Sequence, residues 1–590
     1  MPGLLLAIIR WVEPKQWRLG DSGRLCIDPS TKLNEEDTGA TNEQIPAPGT
    51  QGAEERNPTV HYGTAFARFL KFVYNLRIDN PDEDIILAAD DISGAFRRLT
   101  YHPDMAVIFS TVFQQYLLIP VGMIFGSRDS PSLYMVPGEL RSFLAASIDF
   151  HNFQPDLATN IELPPRLSKR DRRLLLQPAT PDSINTGYNT LYAGSRISPQ
   201  VPFVDDTGNC QLVDHIKDVI RDSVLAAYLI FGFPKEDPIR PPINATKWVK
   251  KISHRLKFLG FVINTRSLTV EWPPQKRDSL YNMIQDIFDF KEQPPTVPVP
   301  THPSKLANIL GLIRNGASIA PLGVALSLHI QYCLTDAIRS STKHATNPKW
   351  WRYHTMVVKP RECKPLHHLW SLLLVEKWNY LWKRPIGMLI PRDPTIRSLS
   401  DAAPVGLGGW SKILKFMWRL TAADLARFGI ICPAESENPK DNLPGALHIN
   451  ILEFLAIIIN AWFTIKLAKQ RNDPFHHIIL LLADNTSALS WLQRAARVSN
   501  KTVRALAIWF HAFLTYSRFQ FGLQSDHIPG PKNVTADRLS RPLCLNETWA
   551  SVINACSPRL DNCQAYQVPH ELLSKLSSII TSQNPGDLSE

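Results

Sequence analysis

The sequence lacks most of the features that mark secreted, membrane or zinc-finger proteins. Its eight cysteines are scattered over 590 residues without a Cys-x-x-Cys pair, which argues against a zinc module and a disulfide framework. The longest apolar run, Ile449 to Ile465, is interrupted by Asn450, Glu453 and Asn460, and no secretory signal is present. We therefore expect an intracellular protein, in the cytoplasm or the nucleus, with no membrane partner.

The composition is that of a globular protein with an excess of basic charge. Hydrophobic residues make up 44% of the chain and charged residues 20%, and the net charge is +10 with a pI of about 9.1. A chain of this length has room for several domains, each with its own core. The basic excess favours an anionic partner, and nucleic acid is the obvious candidate.

Local patterns divide the chain into segments. Residues 35–60 are polar and read as a loop, and the apolar spacing after them predicts a helix over residues 62–76. Residues 292–303 are rich in proline and predict a hinge, after which the pattern is helical to about 390. From about 400 to 545, apolar strands alternate with helical stretches, as in a separate α/β domain. The remaining tail is polar, and we expect it to be loosely ordered.

A basic stretch, residues 166–173, lies within a polar insertion over residues 141–200. Two interpretations are open. The charges can form a solvated surface, or they can contact phosphate or direct the protein to the nucleus.

Adjacent carboxylates, Asp205 and Asp206, end the apolar segment ValProPheValAspAsp. Two neighbouring acids repel each other, and a magnesium ion with its preference for oxygen ligands would neutralise them. Asp-Asp is also ordinary turn chemistry, so the pair alone is weak evidence. A third acid, Asp91, follows an apolar strand upstream, and carboxylates from two strands that meet at one point are what phosphoryl transfer with two magnesium ions requires.

A second set of acids lies in the C-terminal half. Asp401 is in a predicted strand, Glu453 is on a predicted helix, Asp484 is at the end of an apolar strand, and Asp537 follows ten residues after His527. Each has a simpler interpretation. Asp484 can begin the next helix as its N-cap, and Glu453 can be a surface residue of an amphipathic helix.

In their order and spacing, these blocks resemble reverse transcriptases, most closely those of long-terminal-repeat and tyrosine-recombinase retrotransposons. The resemblance implies that Asp91, Asp205 and Asp206 form the polymerase site with two Mg²⁺ ions, Mn²⁺ being an alternative. It also implies a 2′-hydroxyl gate at Phe96. The other nucleotide- and template-binding residues that it implies are Phe125, Gly126, Ser130, Pro131 and Lys235. The implied primer grip is Phe258, Leu259 and Gly260.

The resemblance has departures at the N-terminal side. Residues 24–34, with Arg24 and Lys32, are similar to the nucleotide-binding fingers motif but contain an extra residue, and Lys32 stands near the expected arginine. A lysine can neutralise phosphate without the bidentate fork of arginine. In addition, Asp90 precedes Asp91, so only the spacing to Phe96 selects Asp91 as the metal ligand.

The second set resembles the ribonuclease H domain of retroelements, particularly in HisIleProGly followed by AsnValThrAlaAspArgLeuSerArg. The resemblance implies that Asp401, Glu453, Asp484 and Asp537 hold two more Mg²⁺ ions. It places a mobile histidine at His527 and a supporting amide at Asn533.

The implied fold is a right-hand polymerase of α+β and α/β type, with a helical connection and a ribonuclease H-like domain. The implied function is RNA-directed DNA synthesis with degradation of the RNA strand, and the partners are RNA template, DNA primer, RNA·DNA hybrid and deoxynucleoside triphosphates. A rival hypothesis is an inactive retroelement remnant that binds nucleic acid. The expected domains are partial fingers (1–60), fingers and palm (61–270), thumb and connection (271–390), ribonuclease H (391–545) and tail (546–590).

Overall fold

The protein is described by a computed structural model that covers 62–108, 111–113, 116–120, 122–124, 127, 130–147, 161–166, 200–235, 241–244, 252–341, 348–374, 381–390, 392–434, 442–470, 477–494, 500–517, 521–541 and 547–583. These residues fall into two compact units, which divide between residues 268 and 269. Both units combine helices with sheets, so the fold is a mixed α/β fold.

The first unit contains a small antiparallel sheet, a hairpin pair and helices. Its elements are α1 (Tyr62–Asp79), β1 (Ile85–Asp91), α2 (Pro103–Ile108), β2 (Thr111–Phe113), β3 (Tyr116–Leu118), α3 (Ser130–Ser147), β4 (Gln200–Phe203), β5 (Asp206–Leu212), α4 (Ile216–Phe231), β6 (Arg255–Phe258) and β7 (Phe261–Asn264). The predicted helix over residues 62–76 is confirmed as α1.

The central sheet of this unit has the strand order β1, β5, β4, and both pairings are antiparallel. All seven residues of β1 are buried, which explains why the strand reads as an almost continuous apolar run. On one side, Ile86 and Ala88 pack into a core with Ile220 and Val224 of α4. The strand therefore holds its two terminal aspartates at the edge of a packed core.

The second unit has a mainly helical first part, followed by a part built around a large sheet. Its first elements are β8 (Thr269–Glu271), α5 (Pro274–Phe288), β9 (Val299–Thr301), α6 (Pro303–Ala317), α7 (Pro321–Ser340), α8 (Pro348–Tyr353), β10 (Met356–Val358), α9 (Pro360–Leu373) and β11 (Lys383–Pro385). All five of these helices, α5 to α9, begin with proline, at a position where the missing amide proton costs no hydrogen bond. Helices α6 to α9 occupy much of the stretch predicted to be helical up to about residue 390, but the short strands β10 and β11 interrupt it.

A six-stranded sheet follows, with the order β16, β15, β12, β13, β14, β17. Its elements are β12 (Ile396–Ala403), β13 (Gly406–Ser411), β14 (Phe416–Thr421), α10 (Ala422–Ala426), α11 (Ile449–Gln470), β15 (His477–Ala483), α12 (Thr486–Arg494), α13 (Lys501–Tyr516), β16 (Phe521–His527), α14 (Val534–Ser540), α15 (Trp549–Cys556), β17 (Gln564–Tyr566) and α16 (His570–Ser582). The strands β12, β15 and β16 are parallel to one another.

Helix α11 is the central helix of this unit. By length and composition alone this helix could cross a membrane, but 83% of its most apolar 18-residue stretch is buried inside the fold. A helix that is apolar on all sides and covered by protein is the core helix of a domain. This burial accounts for the long apolar run in the sequence.

The expectation of a loosely ordered tail after residue 545 is wrong for residues 547–583. Strand β17 pairs in parallel with β14 and extends the sheet, and the buried residues Leu572, Leu573, Leu576 and Ile579 give α16 an apolar face. Glu547 accepts hydrogen bonds from Arg419 and Arg538. The polar composition concealed a short strand and a helix whose few apolar residues are all on one side.

Candidate active sites

Asp205 lies at the tip of a tight hairpin between β4 and β5. Because Phe203 pairs with Asp206, the turn consists of two residues, Val204 and Asp205. Val204 has a φ of +53°, a conformation that a β-branched residue rarely adopts. Strain of this kind costs about 1–3 kcal/mol and is concentrated at functional sites in proteins.

Strand pairing brings Asp91 to the same place as this hairpin. Asp91 is directly opposite Asp206 in the pairing of β1 with β5. Directly opposed residues of antiparallel strands point to the same face of the sheet, so these two carboxylates share one face. The amide of Ile92 donates to the carbonyl of Asp205 at 2.9 Å, which ties the hairpin tip to the end of β1. Strand pairing and this hydrogen bond thus bring the backbones of the three aspartates together, whereas their carboxylate oxygens do not all lie within 4.8 Å of one another.

Asp90 is excluded as a metal ligand by its partners. Arg141 donates to both of its carboxylate oxygens, at 2.7 and 2.6 Å, and both side chains are 1% exposed. Asn209 and Ser223 donate to the second oxygen as well. Removing one member of such a buried pair leaves an uncompensated charge and costs about 3–5 kcal/mol. Asp90 is therefore part of the core, and Asp91 is the residue available to the site.

The second set of acids forms a closer cluster. Carboxylate oxygens of Asp401, Glu453 and Asp484 all lie within 4.8 Å of one another. Asp401 and Glu453 are buried, at 2% and 5% exposure, and Oε2 of Glu453 has no hydrogen-bond partner among the described residues. A buried, unpartnered carboxylate oxygen facing two other acids is what a hard cation requires. This donor set therefore fits magnesium.

The simpler interpretations of Asp484 and Glu453 are wrong. The side chain of Asn485, rather than that of Asp484, accepts from the amide of Ala488 and begins α12. Glu453 is buried in the first turns of α11 instead of lying on a surface. Asp484 is therefore not an N-cap and Glu453 is not a surface residue, which leaves both carboxylates to serve the cluster with Asp401.

Burial and mutual repulsion shift the acidity of this cluster. Burial raises the pKa of Asp401 from 3.8 to about 7, and Asp484 and Asp537 add to the rise. Burial likewise raises the pKa of Glu453 from 4.5 to about 9, reinforced by Asp401 and Asp484. Arg541 opposes both shifts. Without a cation, the cluster binds protons that a metal would displace.

Helix α14 and its two ends supply supporting hydrogen bonds around the acids, of which the sequence predicted only that of Asn533. Ser540 is fully buried and donates to Asp401 at 2.5 Å. Arg541 donates to Asp537 at 2.7 Å, and Asn533 donates to the carbonyl of Ser400 at 3.1 Å. Asp537 is outside the close cluster and is linked to it through this helix and its end. The signal was present in the sequence as the serine and arginine three and four residues after Asp537.

Glycines in β13 allow this helix to approach. A Cβ atom on Gly408 would lie 2.5 Å from Cβ of Leu539 on α14, and one on Gly409 would lie 2.5 Å from the side-chain oxygen of Asn460 on α11. Successive strand residues point to opposite faces, so the two glycines admit a helix on each side of the sheet. Because Gly408 pairs with Asp401, the close approach of α14 occurs beside the acid that Ser540 contacts.

Comparisons with known proteins add the following. No family model and no curated protein matches the sequence. Among solved structures, the chain is similar to a foamy viral protease-reverse transcriptase, in a complex with double-stranded DNA (13% identity, TM-score 0.32, 85% of this chain and 62% of that one) and in a complex with RNA/DNA hybrid (14% identity, TM-score 0.36, 89% and 51%). This chain thus spans less than two thirds of those chains. Since both TM-scores are below 0.5, the two carboxylate sites themselves carry the functional assignment.

The predicted nucleotide-binding residues of the first unit have mixed environments. Phe96 is 4% exposed, and its ring meets that of Tyr134 edge to face at 5.5 Å. Ser130 is 1% exposed and donates to the carbonyl of Ile124, while Pro131 follows it in α3 and is partly exposed. Lys235 is exposed in the turn after α4. Contacts of these residues with a nucleotide stay predictions.

The predicted primer grip is a two-residue hairpin. Phe258 pairs with Phe261 across Leu259 and Gly260, which both have positive φ. Such turns match the twist of the strands that they join. Phe258 is buried against Phe69 at 4.8 Å, so the partly exposed residues Leu259 and Gly260 are the ones that can meet a ligand.

Several predicted residues cannot be placed. Arg24, Lys32, Phe125 and Gly126 lie outside the described residues. His527 is exposed at the end of β16, opposite Ala483 in β15, and so lies at the sheet edge where Asp484 follows its strand. The mobility predicted for His527 is not tested by its position and stays a prediction.

The raised pKa values predict how stability responds to pH in a metal chelator. Between about pH 4 and 9, the folded state holds protons on Asp401 and Glu453 that the unfolded state has released, so the free energy of unfolding must fall as pH rises. We expect the melting temperature in EDTA to fall between pH 5 and 9, and to fall less for Glu453→Gln. Glu571→Gln, at an exposed helical position, is the control for loss of one charge. If the melting temperatures of the unmutated protein and of Glu453→Gln fell equally with pH, the raised pKa of Glu453 would be contradicted.

Proposed function

We propose that this chain is an RNA-directed DNA polymerase that also degrades the RNA strand of the RNA·DNA hybrid. The observation that carries the proposal is the cluster of Asp401, Glu453 and Asp484, in which two acids are buried and a bound cation would offset the cost of burying their charges. The strand register that sets Asp91 opposite Asp206, next to the strained hairpin that carries Asp205, supports the polymerase half.

In the nuclease site, Asp401, Glu453, Asp484 and Asp537 would hold two Mg²⁺ ions. When bound, such ions lower the pKa of a water nucleophile and neutralise charge on the phosphate and leaving oxygen. Ser540 keeps Asp401 in one rotamer through its hydrogen bond. Recognition of the strand to be cut would depend on its 2′-hydroxyl groups, which only RNA has.

In the polymerase site, Asp91, Asp205 and Asp206 would hold the ions that bind the primer 3′-hydroxyl and the triphosphate. The rigid core under β1 fixes Asp91, while the two-residue hairpin fixes Asp205 and Asp206. Carboxylates that are fixed before the substrate binds need no reorganisation during phosphoryl transfer, which is the main source of rate acceleration in such sites. Copying of RNA inside the cell, in the cytoplasm or the nucleus, is the setting that this proposal implies.

The direct test measures both reactions with the full chain. One substrate is a labelled DNA primer on an RNA template with deoxynucleoside triphosphates, and the other is a hybrid labelled on either strand. We expect Mg²⁺-dependent extension, and cleavage of the labelled RNA strand but not of the DNA strand, with EDTA abolishing both. Mn²⁺ should replace Mg²⁺ in each reaction.

Absence of both reactions would favour the rival hypothesis of an inactive remnant that binds nucleic acid. Under that hypothesis, hybrid binding would persist and weaken steeply with salt, with log K falling by about 0.7–0.9 per phosphate contact per log unit of salt. Extension without cleavage, or cleavage without extension, would refute the corresponding half of the proposal.

A further inference from the structure

Arg141 on α3 is completely buried under the polymerase carboxylates. It is 1% exposed, and its guanidinium makes hydrogen bonds to Asp90 and Thr207 and to both the hydroxyl and the carbonyl of Ser223. These partners come from β1, β5 and α4. A single side chain therefore joins three elements that were distant in sequence.

The partners of Arg141 lie directly beside the acids of the polymerase site in the pairing of β1 with β5. Asp90 and Thr207 are paired across β1 and β5, and the next pair along the ladder is Asp91 with Asp206. One nitrogen, Nη1 of Arg141, donates to both Asp90, at 2.7 Å, and Thr207, at 3.0 Å. Because successive pairs point to opposite faces, Arg141 grips the strand pair from the face opposite the two acids.

The grip also fixes register. Asp90 and Asp91 are chemically identical, and a shift of one residue would put the wrong acid in the site and the wrong one in the core. Both oxygens of Asp90 are engaged, one of them by Arg141, Asn209 and Ser223 together. A guanidinium with a planar, bidentate fork defines this geometry, whereas an ammonium would not.

We propose that Arg141 and Asp90 are positioning residues of the polymerase site, which hold Asp91 and Asp206 at the separation that binds the divalent ions. The inference rests on the proposed function of this site. It assigns to these two residues no contact with substrate or metal. Its consequence is that the metal affinity of the site depends on an ion pair on the other face of the sheet.

The test uses two kinds of variant. Arg141→Lys keeps the charge and removes the fork, and the double variant Asp90→Leu with Arg141→Met removes both charges so that neither is left buried and unpaired. For both we expect the Mg²⁺ concentration that gives half-maximal primer extension to rise about tenfold or more, as is usual when residues behind metal ligands are replaced. Hybrid cleavage by the same preparation should be unchanged.

Arg68→Lys is the matched control. Arg68 on α1 contacts Glu139 on α3 at 3.0 Å, two residues from Arg141, but this pair is partly exposed and joins two helices without touching the strand pair of Asp91 and Asp206. We expect its Mg²⁺ dependence to equal that of the unmutated protein. An unchanged Mg²⁺ requirement in both Arg141 variants, with normal melting temperatures, would overturn the inference, as would an equal change in Arg68→Lys.

A binding measurement separates this inference from the proposed function. Mn²⁺ is titrated into protein whose nuclease cluster is disabled by Glu453→Gln and Asp484→Asn, and bound Mn²⁺ is followed by its electron paramagnetic resonance signal. Weaker Mn²⁺ binding in Arg141→Lys supports the inference even if the unmutated chain extends no primer, in which case only the polymerase proposal fails. Equal Mn²⁺ affinity with and without Arg141→Lys contradicts the inference.

Discussion

Replacing Asp205 by asparagine is expected to abolish Mg²⁺-dependent primer extension. The substitution keeps the size of the side chain at the hairpin tip and removes its charge. Loss of one metal ligand removes several kcal/mol of charge stabilisation, so we expect the extension rate to fall on the order of 10³-fold or more. Single-turnover extension of a labelled primer measures this.

Two comparisons make the result specific. Asp214→Asn removes an exposed carboxylate from the same unit and should leave extension within about twofold of the unmutated rate, since exposed ion pairs contribute little. Hybrid cleavage by Asp205→Asn should also be normal. Extension that survives in Asp205→Asn would show that this hairpin does not hold the polymerase ions.

Replacing Asp484 by asparagine is expected to have the opposite pattern. Hybrid cleavage should fall on the order of 10³-fold or more, because this acid is one of three whose oxygens converge within 4.8 Å, whereas extension should be retained. The exposed Asp561→Asn in the same unit is the control. Loss of both reactions in Asp484→Asn would argue against two separate sites.

Stability distinguishes a lost ligand from a damaged fold in this experiment. Asp484 adds to the repulsion that raises the pKa of Asp401 and Glu453, so its neutralisation removes an unfavourable interaction in the metal-free protein. We expect the melting temperature of Asp484→Asn in EDTA to be equal to or above that of the unmutated chain. A lower melting temperature would mean that the loss of cleavage reflects unfolding.

The sequence was sufficient where function and local pattern coincide. Asp484 ends an apolar strand and Glu453 lies on an apolar helix, so topology alone brings them to one end of a sheet. Between Asp90 and Asp91 the sequence offered only the spacing to Phe96, and the physical reason for the choice is Arg141, which is 51 residues from Asp90 in sequence. No local pattern encodes a contact between a strand and a helix at that distance.

Packing details were similarly inaccessible. The glycines of β13 were visible, but that Gly408 admits Leu539 depends on how α14 lies on the sheet. The strand β17 has only three residues, too few to show an alternation of apolar and polar side chains. It is recognisable as a strand only through its pairing with β14. A sequence pattern shows which residues of a segment are buried. It does not show which other segment packs against them, and the contact of Gly408 with α14 and the pairing of β17 both depend on that.

The position of β17 also affects how the chain is made. During synthesis, β12, β13 and β14 emerge well before residues 564–566, which pair with residues 416–418. Until then the outer edge of β14 carries unpaired backbone groups, and an exposed strand edge is a template for pairing with another chain. Strand β17 therefore acts as a cover, and the nascent protein depends on residues 564–566 to close the edge at which aggregation would begin.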